Sequence, residues 1–223
     1  MEAETAWALF IAGFTDTAFA RRAATLFHAG PLEAVQFAES EVTGTLFAEF
    51  FAYGCDAAEA LVAVVASRPP LRHYLTVLED RPGLQEAFER GGFRLDDIET
   101  LMALDLSTAP PPAPEWEVSV LGRAEEAEWH NANDPQGLRW ALPDNLADQR
   151  MRHYAVVRDG QLLARGRNFH MDATHSYVSW VYTAEAHRGR SLARAVMARL
   201  LADDRARGAG WSVLTASRIG EPL

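Results

Sequence analysis

The stretch from Ser176 to Ser217, SYVSWVYTAEAHRGRSLARAVMARLLADDRARGAGWSVLTAS, restricts the possible folds more than any other part of the chain. Tyr177 to Thr183 is rich in aromatic and β-branched residues and has the length of a strand. His187-Arg188-Gly189-Arg190 has no apolar residue and predicts a loop, with Ser191 at the N-cap position of the helix that follows. Leu192, Val196 and Leu200 recur every fourth residue with Ala193, Met197 and Leu201 beside them, so one helix face is apolar. Arg199–Asp203 and Asp203–Arg207 are spaced as i,i+4 ion pairs, Gly208 is a helix stop, and Trp211 to Ala216 reads as a second buried strand.

A loop that leaves a strand and enters a helix presents unpaired N–H groups at the positive end of the helix dipole, which suits an anion. Arg188 and Arg190 can add charge-assisted hydrogen bonds to phosphate oxygens, while Gly189 and Ala193 permit close approach. Spacing alone equally allows a βαβ unit whose arginines are merely solvated.

Arg188-Gly189-Arg190-Ser191-Leu192-Ala193 resembles motif A of the GNAT acetyltransferase superfamily, Gln/Arg-x-x-Gly-x-Gly/Ala. Val181-Tyr182-Thr183 resembles the end of the family's splayed fourth strand, Ala184-Glu185-Ala186-His187 the turn before the motif, and Val213 to Ser217 the fifth strand. Ser191 departs from the pattern, which has Gly there; its N–H would still serve a phosphate if its φ is negative. The resemblance implies a mixed α/β (α+β) sheet of the acyl-CoA N-acyltransferase type, in two lobes. It implies acetyl-CoA as co-substrate and transfer of acetyl to a primary amine of a small molecule or protein. The alternative is a non-catalytic CoA-binding or interaction module of the same fold. On this resemblance the backbone of Val181, Tyr182 and Thr183 would contact the pantetheine arm. Arg188, Gly189, Arg190, Ser191, Leu192 and Ala193 would hold the pyrophosphate. The base is not identified; Glu185, Tyr182 and His187 are the candidates, each with a structural role as the alternative.

The order of elements from Trp116 agrees. Alternating Trp116, Val118 and Val120 predict a strand, Arg123 to Asn131 and Pro143 to Met151 helices, and Asp134-Pro135-Gln136-Gly137 a turn. His153–Arg158 and Gln161–Phe169 predict a hairpin closed by Asp159-Gly160. His170, Asp172 and His175 lie close in sequence, but no fourth ligand is evident and a solvated turn is expected rather than a metal site. The family's next helix, which often carries a tyrosine acid, would follow Ser217, yet only Arg218 to Leu223 remain. The last strand is therefore expected to have an open edge, completed by the first lobe, by a second chain in a homo-oligomer, or by residues beyond a truncation.

The first half is harder to read. Trp7, Phe10, Ile11 and Phe14 predict a helix, Thr15 to Phe27 a second, and Pro31 to Glu39 a short third. Leu46, Phe47, Phe50 and Phe51 suit either helix or strand. Asp56 should cap a helix through Val65, followed by a strand at Tyr74–Leu78, a helix at Pro82–Arg90 and a strand at Thr100–Leu106. This order resembles a degenerate GNAT-like copy in which Tyr53-Gly54-Cys55-Asp56 replaces the anion loop and Asp56 would repel a pyrophosphate; an unrelated helical lobe is the alternative. Domains are expected at 1–107 and 115–223, joined by a proline-rich linker at 108–114.

Composition narrows the partners. Net charge is −10 over 223 residues. Residues 1–110 hold 17 acids against 7 arginines, and residues 111–223 hold 14 of each, so nucleic acid is disfavoured and the motif-bearing half is neutral. Cys55 is the single cysteine, no apolar run approaches a membrane span, and the start lacks a signal peptide's basic region, so a cytoplasmic protein is expected.

Overall fold

The computed structural model describes residues 1–21, 24–37, 47–70, 72–78, 82–108, 116–218 and 220. In chain order the elements are α1 (Ala3–Arg21), β1 (Ala24–Ala29), β2 (Leu32–Phe37), β3 (Phe47–Ala52), α2 (Ala57–Ala66), β4 (Arg72–Val77), α3 (Leu84–Arg90) and β5 (Glu99–Asp105). There follow β6 (Ser119–Val120), α4 (Ala124–Ala132), a 3-10 turn at Pro143–Ala147, β7 (Met151–Arg158), β8 (Gln161–His170), β9 (His175–Thr183), α5 (Leu192–Ala206) and β10 (Trp211–Ser217).

The chain forms two compact units, and they do not divide at the proline-rich run. One comprises residues 1–21 and 99–223; the other is the intervening 22–98. Ala109 to Pro114 of the expected linker lie outside the described residues, as do Ile219 and Glu221 to Leu223.

The discontinuous unit is built on a six-stranded sheet in the order β5-β10-β9-β8-β7-β6. The open edge expected at the last strand is absent, because β5 pairs antiparallel with β10 along its whole length, from Trp211↔Asp105 to Ser217↔Glu99. Of the three expected ways to complete the sheet, a strand from before the proline run is the one observed. Leu192, Val196 and Leu200 of α5 pack with Tyr154, Val156, Ala164 and Val178 on one face. The other face carries Leu121, Ala127, Trp140, Ala155 and Leu162, with Trp180 against them. Near β9 and β10 that second layer is supplied by α1. Phe10 meets Tyr177 edge-on at 5.9 Å, and Gly13 lies so close to Tyr177 that a side chain there would collide with it. Strand alternation explains the split, since Tyr177 faces α1 and Val178 faces α5.

A buried carboxylate fixes α5 on the sheet. Asp204 accepts from Asn168, from Ser176 Oγ at 2.7 Å, and pairs with His170 Nε2 at 2.8 Å. Arg199 reaches Asp203 at 3.2 Å as expected, but Arg207 turns away and donates to the Gln149 carbonyl at 2.6 Å.

The second unit is a four-stranded sheet in the order β1-β2-β3-β4, antiparallel except for the parallel pair β3–β4 that α2 connects. The helices expected at 15–27 and 31–39 are corrected here. α1 continues to Arg21, and residues 24–29 and 32–37 are a strand pair turning at Gly30, whose φ is +57°. A helical period placed Ala23, Leu26 and Phe27 on one face, but Thr25, Phe27 and Val35 suit a pleated surface equally well, and pairing decided it. The aromatic segment resolves as strand β3, with Leu46 outside the described residues. Asp56 caps α2 by accepting from the Glu59 N–H at 2.8 Å.

Candidate functional site

The parallel strands β9 and β10 pair over only three residues, Trp211↔His175 to Val213↔Tyr177, and then part. The cause lies in β9. Opposite β8, Arg165 pairs with Tyr182 and Arg167 with Ser179, so Trp180 and Val181 together face the single residue Gly166. Trp180 takes a left-handed φ of +63°, a conformation costly for a non-glycine residue in a strand. Gly166 is required by the same packing, since a Cβ there would lie 2.8 Å from Val196 Cγ1. The bulge twists β9 away and leaves its last residues, Val178 to Thr183, beside an opening between two parallel strands.

At the top of that opening the chain passes through Glu185–His187 and Arg188 to Arg190 into α5. The N–H groups of Gly189 to Arg194 find no acceptor among the described residues. A Cβ built at Gly189 meets nothing within 4 Å, so the loop has room for a ligand. The Trp116 indole donates to the Arg190 carbonyl at 3.0 Å and steadies the loop from the side. Arg190 is exposed; Arg188 lies 5.9 Å from the Tyr182 ring and 3.5 Å from Glu185. Ser191 corrects one expectation. Its φ is +59°, not negative, and its side chain makes no capping bond. The left-handed turn explains why glycine fits the pattern there, and the Ser191 N–H still finds no acceptor among the described residues.

On the face opposite α5 a cavity of about 650 Å³ is lined by Asn133, Pro135, Gln136, Tyr182 and the segment Ala184–His187, among others. One of its walls is held by Arg165, which is 1% exposed. Its Nε donates to Asp134 Oδ2 at 2.5 Å, one terminal nitrogen to the Trp180 carbonyl at 2.8 Å, and the other to Gln136 Oε1 at 2.7 Å. Trp140, Trp180 and Tyr182 surround the guanidinium with ring centroids 5.2–5.5 Å away. Burial lowers the Arg165 pKa, and Asp134 opposes the shift through its hydrogen bond and its charge.

Residues 118–217 match the acetyltransferase (GNAT) family. That match coincides with the splayed pair, the bulge and the loop. The fold is that of the GNAT acyl-CoA N-acyltransferases. Two solved structures share it over most of the chain. A GCN5-related N-acetyltransferase from Kribbella flavida is 21% identical with a TM-score of 0.60, covering 93% of this chain and 84% of that one. A GCN5-related N-acetyltransferase-like protein from Streptococcus suis is 12% identical with a TM-score of 0.52, covering 96% and 90%. No curated protein matches the chain.

Within residues 118–217 the candidate residues separate. Val181, Tyr182 and Thr183 lie on β9 beyond its last pairing with β10, and Arg188 to Ala193 run from the 3-10 turn at Glu185–His187 into the first turn of α5. Glu185 has a side chain 80% exposed and is engaged with Arg188. Tyr182 is flanked by the guanidinium groups of Arg165 and Arg188. His187 lines the cavity, and its buried Nδ1 has no hydrogen-bond partner among the described residues. His170, Asp172 and His175 are not brought together. His170 turns inward to Asp204, while Asp172 and His175 bond each other and Thr174 within the turn. Among the described residues no group of three such side chains could hold a metal ion.

Sequence reasoning missed Asp134, Gln136, Arg165 and Trp180. The signal was present in Leu162-Leu163-Ala164-Arg165-Gly166-Arg167, an apolar strand carrying two arginines. A charge on a strand with neighbours on both sides must be paired, and its partner had to be sought elsewhere in the chain.

Proposed function

We propose that the chain is an acetyl-CoA-dependent N-acetyltransferase in which residues 116–218, with α1 and β5, form the working GNAT domain. The carrying observation is the row of N–H groups from Gly189 to Arg194 that find no acceptor among the described residues, at the start of the helix that joins β9 to β10. Diphosphate oxygens would accept from those amides, with Arg188 and Arg190 supplying charge. The pantetheine arm would run down the opening along Val181, Tyr182 and Thr183. Acetyl-CoA supplies an activated acyl group, and the chain's task is to hold thioester and amine together. The cavity beside Tyr182 and Gln136 would hold the acceptor. Its lining of amide, phenol and imidazole groups fits a polar amine-bearing molecule, small or peptidic.

Among the three candidates His187 is the base. Its ring lines the cavity, whereas the Glu185 side chain is 80% exposed and faces Arg188 at 3.5 Å. CoA release is to be followed with acetyl-CoA and a panel of primary amines. Turnover in the wild type with at least a tenfold lower kcat in His187→Gln supports this reading. Tight acetyl-CoA binding without CoA release would instead favour a binding module.

The 22–98 unit shares an order of pairings with part of the later sheet. Its β1-β2-β3-α2-β4 and the later β7-β8-β9-α5-β10 are each two antiparallel pairings followed by a parallel β-α-β. We read it as a degenerate copy without a cofactor site, because Asp56 places a carboxylate on the N-terminus of α2, where the later copy offers bare amides.

A further inference from the structure

Arg165 is a fully buried cation in a site whose visible chemistry lies elsewhere. A buried Arg–carboxylate pair adds little net stability compared with apolar residues of the same size, because desolvation offsets the attraction. What this one does is geometric. Its three nitrogens bridge two segments: the Asp134–Gln136 turn at the cavity wall, held at both Asp134 and Gln136, and the Trp180 carbonyl in the bulge of β9. The bulge is the one place in β9 where the backbone departs from strand geometry, and Trp180 has its unfavourable φ there. Every peptide of the described chain is trans, so a carbonyl and the N–H that follows point in opposite directions. Capturing the Trp180 carbonyl therefore fixes the plane of the Trp180–Val181 peptide and turns the Val181 N–H away from Arg165.

We propose that Arg165 is a positioning residue of acyl transfer: by holding the Trp180 carbonyl and the Asp134–Gln136 turn together, it aims the Val181 N–H at the thioester carbonyl. The proposal rests on the acetyl-transfer reading above. A preset donor at that atom stabilises charge that develops on the oxygen as the amine attacks, with no reorganisation at the moment of reaction. The same three bonds couple the acceptor wall to the acyl site, so neither can shift alone.

The test is the thioester carbonyl stretch of bound [1-13C]acetyl-CoA, read by isotope-edited infrared difference spectroscopy. In the wild type the band should fall below its solution frequency. In Arg165→Met combined with Asp134→Asn, which keeps an acceptor for the turn amides and removes both charges, the band should return toward the solution value. The Kd for acetyl-CoA should change less than threefold, since the α5 loop is untouched. An unshifted band in the wild type, or a shift retained in the variant, overturns the proposal. If the wild type binds no acetyl-CoA at all, the acetyl-transfer reading fails and this one with it. Hydrogen exchange on the wild type needs no variant: acetyl-CoA should slow exchange at the Val181 amide at least tenfold more than CoA does. Equal protection by the two ligands refutes the assignment.

Discussion

Ser191→Gly separates the strain in the anion loop from its chemistry. Ser191 sits at φ +59°, ψ +18°, and its hydroxyl makes no capping bond, so truncation costs the helix no cap. A left-handed conformation costs an L-residue about 1–2 kcal/mol. Glycine removes that cost but loses about 0.4–1 kcal/mol through its greater freedom in the unfolded chain. The balance is a gain of up to about 1.6 kcal/mol, or up to about 6 °C in Tm for a domain of this size. Thermal unfolding followed by circular dichroism reads the shift, and acetyl-CoA affinity should stay within about twofold because every loop amide remains. Ser191→Pro is the counterpart: its φ is locked near −65° and it has no N–H, so it should lower both Tm and affinity. A Ser191→Gly protein that melts lower than the wild type would refute the claim that the loop is strained at this residue.

His130 predicts an acid weakness. It is 6% exposed, packed edge-on against Trp129 and Trp140, and burial pushes its imidazole down to about 4 from the usual 6.5. Between those values the unfolded chain takes up a proton that the native state refuses. The stability contribution is therefore full above about pH 6.5 and is lost as pH falls toward 4, with about 2 kcal/mol gone by pH 5. Urea unfolding at pH 7 and pH 5 should show a smaller loss in His130→Gln than in the wild type; equal losses would count against the buried neutral imidazole. Arg188→Ala and Arg190→Ala should each weaken acetyl-CoA binding by about 1–3 kcal/mol in calorimetric titrations. The effect should shrink at high salt, and unchanged affinity would mean that both arginines are only solvated.

The loop, α5 and the strands on either side were legible because their signals are local. A period of four from Leu192 to Leu200, a glycine at Gly208 and two arginines beside Gly189 each act within a few residues. The order of the later strands was legible for the same reason, and Asp159-Gly160 does make the two-residue turn, with φ of +52° and +72°. What the sequence concealed depends on partners distant in the chain. Glu99–Asp105 is a good strand by itself, but nothing in its residues says that it pairs with Trp211–Ser217 rather than within the 22–98 unit. The hydrophobic face of α1 likewise gives no hint of Tyr177. Arg165 reads as an out-of-place charge until Asp134, Gln136 and the Trp180 carbonyl are brought around it. The strand pair 24–37 was misread because Ala-rich, aromatic-bearing segments satisfy helical and extended periods alike.

Cofactor binding depends on the amides between Gly189 and Arg194 donating to a diphosphate. Isothermal titration calorimetry of the wild-type chain with acetyl-CoA asks that directly. Saturable 1:1 binding in the micromolar range, weakened by added inorganic pyrophosphate, is the predicted result. No heat of binding at millimolar acetyl-CoA would contradict it.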